Sequence, residues 1–350
     1  MSPYFNYFQS LERLIVKKLV VLLCLFAISV CALSAEKSVF QFTYSAEVGP
    51  IEADSGPVHV FIPLPVANPQ QRILQETINA TIQGRVDVED KYGNRYWHGS
   101  IEPKHDDVTI SVNMDFIVER SSDSPNLLVN ENESENAEQQ AADLGKYLSA
   151  NERVIVGAPI LDPIRAEIHE KVQSDDKAAI ARGIYDWVVE NVEYKKVGTG
   201  WGNGDTYWAC NERYGNCTDF HSLFISLARS EGIPARFEMG FPVPEERSSG
   251  VITGYHCWVQ FYLPETGWFP IDASEAFKHP ELKEYFYGTH PTNRIHFSTG
   301  RDLKLGESHN SASLNYFIYP HVEVAGTPYK GAVSRKFSFK RIGGNLVPVE

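Results

Sequence analysis

Cysteine is scarce in this chain, with five in 350 residues, and two of those, Cys24 and Cys31, lie in an apolar leader. Cys210, Cys217 and Cys257 remain, an odd number that a chain in an oxidising compartment cannot pair off completely. Zinc is a poor fit, because Cys210 and Cys217 lack the spacing of about two to four residues typical of a ligand pair. No apolar run long enough to span a bilayer is evident. Residues 19–33 make a run of fifteen, against the roughly twenty a spanning helix needs. Clustered basic residues are also missing. The 32 Lys and Arg are scattered among 45 Asp and Glu for a net charge of −13, which argues against nucleic acid or an anionic membrane surface as partner. The glycine-rich loop 198–205 has no Lys-Ser or Lys-Thr opening a helix behind it, so it is no phosphate cradle. The acidic residues of 130–140 lack the ordered spacing of a calcium loop. No metal and no cofactor are expected.

What is present begins with Lys17 and Lys18, the fifteen apolar residues, and then small Ser34 and Ala35. This is the pattern of a secretory signal over 1–35, cleaved near 32–35. Val30 before Cys31 is the wrong residue for lipidation. The mature protein is expected to be secreted, in the periplasm, with no stable membrane insertion. Its 43% hydrophobic content supports cores for two domains. Residues 36–120 alternate with period two and carry no helical period, which predicts an antiparallel β-sandwich-like N-terminal domain. His59, His98 and His105 are isolated there and read as surface or structural. Residues 121–148 are acidic and polar, a solvated linker. Helices are expected near 163–171 and 175–191. Residues 149–345 form the second domain, whose last strands, near 294–298, 314–319, 321–324 and 335–342, could extend its sheet. Arg301, Asp302 and His309 are expected at the surface.

Two stretches carry chemistry. Gly215 and Asn216 break the chain, and Phe220, Leu223, Phe224, Leu227 and Ala228 then fall on one helical face until Gly232. Asn216 is the natural N-cap. Cys217 therefore opens a helix, where free N–H groups and the dipole favour a thiolate, although a lone cysteine can equally be a small packed hydrophobe. Downstream, 255–262 alternates, turns through 263–267 and returns as 268–272. That is a hairpin, and centring its loop on Pro264 sets His256 opposite Asp272. A carboxylate about 5 Å away across two strands can orient an imidazole and stabilise its cation. Cys217, His256 and Asp272 are together the parts of an activated thiol nucleophile. Cys257 should point to the face opposite His256 and be buried, with a disulfide to Cys210 as a lesser alternative. His221, one turn after Cys217, is expected only in support.

These residues resemble the transglutaminase-like family, a branch of the papain-like cysteine enzymes. The likeness rests on Gly215-Asn-Cys-Thr-Asp-Phe-His-Ser-Leu-Phe224, Ala228-Arg-Ser-Glu-Gly-Ile-Pro-Ala-Arg236, Tyr255-His-Cys-Trp258 and Gly267-Trp-Phe-Pro-Ile-Asp272. It covers residues 150 to 275. The resemblance implies a papain/transglutaminase-like α+β core, a nucleophile at Cys217, its imidazole at His256 and the orienting acid at Asp272. Papain-like peptidases place a Gln, and transglutaminases a Trp, upstream as oxyanion donor. Tyr207, Trp208 and Asn211 are the candidates here, with the Cys217 backbone N–H as the other donor. Trp201 and Trp208 either line the cleft or simply pack.

The expected function is that of a secreted cysteine hydrolase or acyltransferase. It would act on amide bonds of a protein, peptide or cell-envelope polymer, with hydrolysis favoured over cross-linking. The alternatives are a non-catalytic peptide- or cell-wall-binding module and a structural assembly protein working through the N-terminal β region.

Overall fold

The computed structural model describes residues 36–125 and 143–343. The signal expected over 1–35 and most of the linker expected over 121–148 lie outside the described residues. The first six strands come from the N-terminal third, as alternation demands. In Lys37–Ile51, Phe40, Phe42, Tyr44, Ala46 and Val48 all point inward, the period-two signature of a sheet with one buried face. This strand lies at the middle of an antiparallel five-stranded sheet ordered Ser249–Ile252, Val333–Gly343, Lys37–Ile51, Val108–Ser121 and Gln71–Ala80.

A second antiparallel sheet has four strands, ordered Gly267–Ile271, His256–Leu263, Ala235–Pro242 and Arg294–Thr299. The inner face of the first sheet packs on it. Phe42 meets Phe241 and Phe297 at ring-centroid distances of 5.1 and 5.5 Å, and those two rings stand edge-on at 5.0 Å. Each buried aromatic contributes roughly 1.5–3 kcal/mol of transfer free energy, so this seam ties the N-terminal strands to the sheet that carries His256. A third, five-stranded sheet is ordered Thr327–Pro328, His321–Val324, Val58–Pro63, Arg95–Ile101 and Gly84–Val88. Its Val58, Val60 and Ile62 share a core with Phe40, Phe42 and Tyr44, while Phe61 and Tyr96 pack under the 303–317 loop in a smaller cluster.

The protein is thus α+β and mostly antiparallel. The regions read from sequence as 36–120 and 149–345 share one core, because Val333–Gly343 pairs with Lys37–Ile51 along ten residues. Nor do the last strands extend a single sheet. Arg294–Thr299 joins the His256 sheet at an edge, whereas His321–Val324 lies inside the third sheet and Val333–Gly343 inside the first. Residues 314–319 form no strand and make only a bridge between Leu303 and Leu314. The beginning of the expected linker is docked rather than solvated. Asp123 is buried, exchanges backbone hydrogen bonds of 2.9 Å with His290 and accepts from Gln260. Burial, with Glu238 nearby, pushes its carboxyl up to about 7.

Among the described residues after 150, the α-helices are α1 Asp162–Val172, α2 Lys177–Asn191, α3 Thr206–Glu212, α4 Cys217–Ser230 and α5 Ala273–Lys278. Every residue of α4 from Cys217 to Arg229 is buried. It is wedged between the His256 sheet and helices α2, α3 and α5. A helix enclosed on all sides holds its N-terminus in place, and that end carries Cys217.

Candidate active site

The start of α4 is fixed by a capping box. Asn216 Oδ1 accepts from Thr218 N–H at 2.8 Å, and Asp219 Oδ2 accepts from the Asn216 N–H at 2.9 Å. Asp219 also takes the N–H groups of Gly202 and Gly204 at 2.7 and 3.0 Å. One buried carboxylate therefore pins the glycine-rich loop to the nucleophile helix. Burial raises its pKa even against those three N–H donors. Gly215 passes so close that an added Cβ would lie 2.1 Å from Asp219 Oδ2, which accounts for glycine there. Tyr255 closes the other side, its hydroxyl meeting Asn216 Nδ2 at 3.1 Å and Thr218 Oγ1 at 3.0 Å.

Cys217 is the first residue of α4 and only 2% exposed. Burial alone would raise its pKa, but the neighbouring Cys257 and His256 side chains, with the His256 charge, bring it well below the ordinary thiol value. His256 begins its strand and places Nε2 2.6 Å from Asp272 Oδ2. That leaves Nδ1 as the nitrogen for the thiolate. Burial opposes the imidazolium, yet Asp272 and Cys217 lift its pKa to about 9. Asp272 is fully buried. Its Oδ2 also receives Arg294 Nη2 at 2.7 Å, and its Oδ1 receives Ser274 Oγ and Glu275 N–H at 2.9 Å each. Against the cost of burial, His256 and Arg294 hold it ionised, well below the usual carboxylate range. Both directions favour a thiolate beside an imidazolium.

The hairpin brings His256 and Asp272 together by a different register from the one expected. Val259 pairs with Ile271 and Leu263 with Gly267. Continued by one step, that ladder would put Trp258, not His256, opposite Asp272. The paired strand stops at Ile271, and Asp272 turns away to cap α5 through the Glu275 N–H. The departure from the ladder is what carries its carboxylate to His256.

Of the oxyanion candidates, none aims a free donor at the thiolate. Trp208 spends its indole N–H on Tyr214 O at 3.1 Å, Tyr207 is 51% exposed, and Asn211 is exposed on α3. The Cys217 N–H, first in its helix, has no carbonyl a turn earlier to bond and is the donor the geometry offers. Trp208 packs over Gly200, where an added Cβ would lie 2.0 Å from the ring. The three cysteines are free, so Cys210 and Cys257 form no disulfide. Cys257 is buried, but on α4 rather than away from it.

Sequence reasoning missed Arg294 and the reach of His221, whose Nε2 lies 3.4 Å from Asp272 Oδ1. It also placed Arg301 and His309 at the surface, whereas both are 1% exposed. Arg301 donates to Gly204 O at 3.0 Å, Asn203 O at 2.7 Å and the Ser222 hydroxyl, stitching the glycine loop to α4. Asp302 accepts from Asn151 Nδ2 at 3.0 Å and Glu152 N–H at 2.9 Å. His59 and His98 meet at 3.0 Å. His309, His321 and Glu323 could gather around an ion. However, His309 Nδ1 already accepts the Leu305 N–H at 3.0 Å, so Nε2 carries the proton and faces Ser311 and Glu323 as a donor.

The ion pair has a consequence for stability. The raised His256 contributes stability that is complete below its unfolded value of about 6.5 and is lost as pH rises through about 9. The depressed Cys217 contributes stability that is complete above its unfolded value of about 8.5 and is lost as pH falls. Between about 6.5 and 8.5 the folded pair and the unfolded residues each hold one proton, so the pair makes no slope there. Below about 6.5 the unfolded histidine binds another proton, and the pair's contribution falls. Comparing urea midpoints of the wild type and a Cys217→Ala, His256→Ala double variant across pH 5–9 should show a constant difference at mid-range that shrinks toward pH 5.

Residues 166–273, which include Cys217, His256 and Asp272, match the model of the transglutaminase-like superfamily. An uncharacterized protein of Haemophilus influenzae is 26% identical over 242 residues, a match covering 59% of this chain and 64% of that protein. The uncharacterized protein YebA of Bacillus subtilis is 34% identical over 77 residues, 19% of this chain and 10% of that one. The matches thus span less than two thirds of either curated relative. Among solved structures, a protein of Cytophaga hutchinsonii described as a candidate cysteine protease superposes with a TM-score of 0.56 at 16% identity, covering 90% of this chain and 93% of that one. That likeness is one of fold.

Proposed function

Starting from a chain that carries a transglutaminase-like core over residues 166–273, we propose that it is a cysteine enzyme acting on amide bonds through an acyl-enzyme on Cys217. The observation that carries this reading is the 2.6 Å bond between His256 and a fully buried Asp272, with His256 among the groups that draw the Cys217 thiol down. The Cys217 sulfur attacks the amide carbonyl while the Cys217 N–H steadies the oxyanion. The His256 imidazolium then protonates the leaving amine, and Asp272 holds the ring in place throughout. His256, now neutral, takes a proton from water as that water attacks the thioester. Hydrolysis is the favoured outcome, because transfer to an amine needs a site that protects the intermediate from water. A peptide or cell-envelope polymer in the periplasm suits a secreted chain.

The test is the rate of iodoacetamide labelling at Cys217 against pH. A thiolate paired with His256 labels at a rate that is nearly flat from pH 6 to 8, and Cys217→Ala removes this fast phase. An ordinary thiol instead gives a rate that climbs with an apparent pKa of about 8.5 or more, and that result overturns the assignment.

A further inference from the structure

Cys257 has surroundings that a packed hydrophobe would not need. Its sulfur is fully buried and lies 3.8 Å from Thr218 Oγ1 and 3.5 Å from His221 Nδ1. Thr218 is the residue next to Cys217, so the Cys257 sulfur sits against the turn of α4 that carries Cys217. His221 reaches on from Cys257 to Asp272, 3.4 Å from Nε2 to Oδ1. Asp272 therefore faces two imidazoles, His256 and His221, and His221 faces the Cys257 sulfur in turn. Asp272 serves two arms, each an imidazole leading to a thiol. The reaction proposed above uses one arm and leaves the other idle.

We propose that Cys257 is a resolving thiol, which captures Cys217 after oxidation by a hydroperoxide and stores it as a reversible Cys217–Cys257 disulfide, with His221 as its base. The proposal rests on the reading of Cys217 as a thiolate. In the first step the Cys217 sulfur attacks the peroxide, the O–O bond breaks, and one oxygen stays as sulfenic acid while the other leaves as hydroxide and is protonated to water. In the second, His221 Nδ1 takes the Cys257 proton and the new thiolate attacks the Cys217 sulfur. The S–O bond breaks, and the departing hydroxide leaves as water with the proton from His221. Two thiols and one peroxide give one disulfide and two waters. A dithiol reductant returns both sulfurs by exchange.

The two thiols suit different roles. Burial and the neighbouring Cys217 charge push Cys257 well above the ordinary thiol value, so it stays protonated while Cys217 meets the oxidant. Cys210 has no such arrangement, and burial raises its thiol to about 11. Without Cys257, a sulfenic acid at Cys217 is open to further, irreversible oxidation.

The experiment treats the reduced full chain with a few equivalents of hydrogen peroxide, enough to carry a lone thiol to sulfinic acid, then alkylates, weighs and maps it. The expected product is lighter by about 2 Da, links the Cys217 and Cys257 peptides, leaves Cys210 alkylated and regains Cys217 labelling after dithiothreitol. Cys257→Ala should instead gain about 32 Da at Cys217 as sulfinic acid and fail to recover, and His221→Gln should form the disulfide about tenfold more slowly. A wild type that proceeds to sulfinic acid, or pairs through Cys210, overturns the proposal, and this holds whether or not the variants fold. Labelling of the reduced protein at pH 6 separates the two readings. Fast labelling without the disulfide overturns only the resolving role, whereas slow labelling overturns the thiolate beneath it.

Discussion

Replacing His256 by alanine should slow iodoacetamide labelling of Cys217 by about 100-fold or more at pH 6. At that pH an ordinary thiol with a pKa near 8.5 is ionised to only about one part in 300. Cys217 escapes this because His256, raised to about 9, stays cationic beside it. Burial is the largest influence on the thiol and acts against ionisation. Once the imidazolium is removed, that influence prevails. The gap should narrow as pH rises, since each unit gives the variant about tenfold more thiolate and the wild type almost none. Above about 9 the wild type itself loses the His256 proton. Asp272→Asn should cost less, because the imidazole remains and only its orientation and charge balance suffer. Equal rates at pH 6 in the wild type and His256→Ala would show that the imidazole does not hold the thiolate.

Arg294→Met should destabilise the protein by about 3–5 kcal/mol, the range for removing one partner of a buried ion pair. Arg294 is 3% exposed and Asp272 fully buried, with Nη2 and Oδ2 2.7 Å apart. The guanidinium also lies over the rings of Trp258 and Phe286, at 5.3 and 5.8 Å. Methionine keeps most of the side-chain volume but leaves the carboxylate with His256 as its close cation. Asp272→Asn added to Arg294→Met should recover part of the loss, since no buried carboxylate is then left short of charge. Urea midpoints at pH 7 with an unchanged m-value are the measurement. A shift under about 0.5 kcal/mol for the single variant would mean that Arg294 does not support the site.

Much of this protein was legible in local patterns. Period-two alternation in 37–51 and 108–121 marks strands because a sheet buries alternate residues, and both strands are there. Asn216 ahead of a helical apolar face marks a cap because a helix start leaves N–H groups to satisfy, and Cys217 opens α4 as read. Of the ordered set Cys217, His256 and Asp272, the structure joins His256 to Asp272 at 2.6 Å and sets Cys217 at the start of α4. What alternation could not supply is the path of the chain past a strand end. The hairpin register was therefore off by two residues, and Asp272 reaches His256 by capping α5.

The stretch 214–221 and the hairpin 255–272 determined by themselves that a thiol, an imidazole and a carboxylate belong together, since each declares its local structure through spacing and caps. Only the tertiary structure decided what surrounds them. Arg294 reaches Asp272 from the far edge of the sheet, Asp219 and Arg301 hold the glycine loop, and Cys257 lies against His221. A buried charge draws its partners from any segment that passes within hydrogen-bond reach, and such long-range pairings leave no period in a sequence.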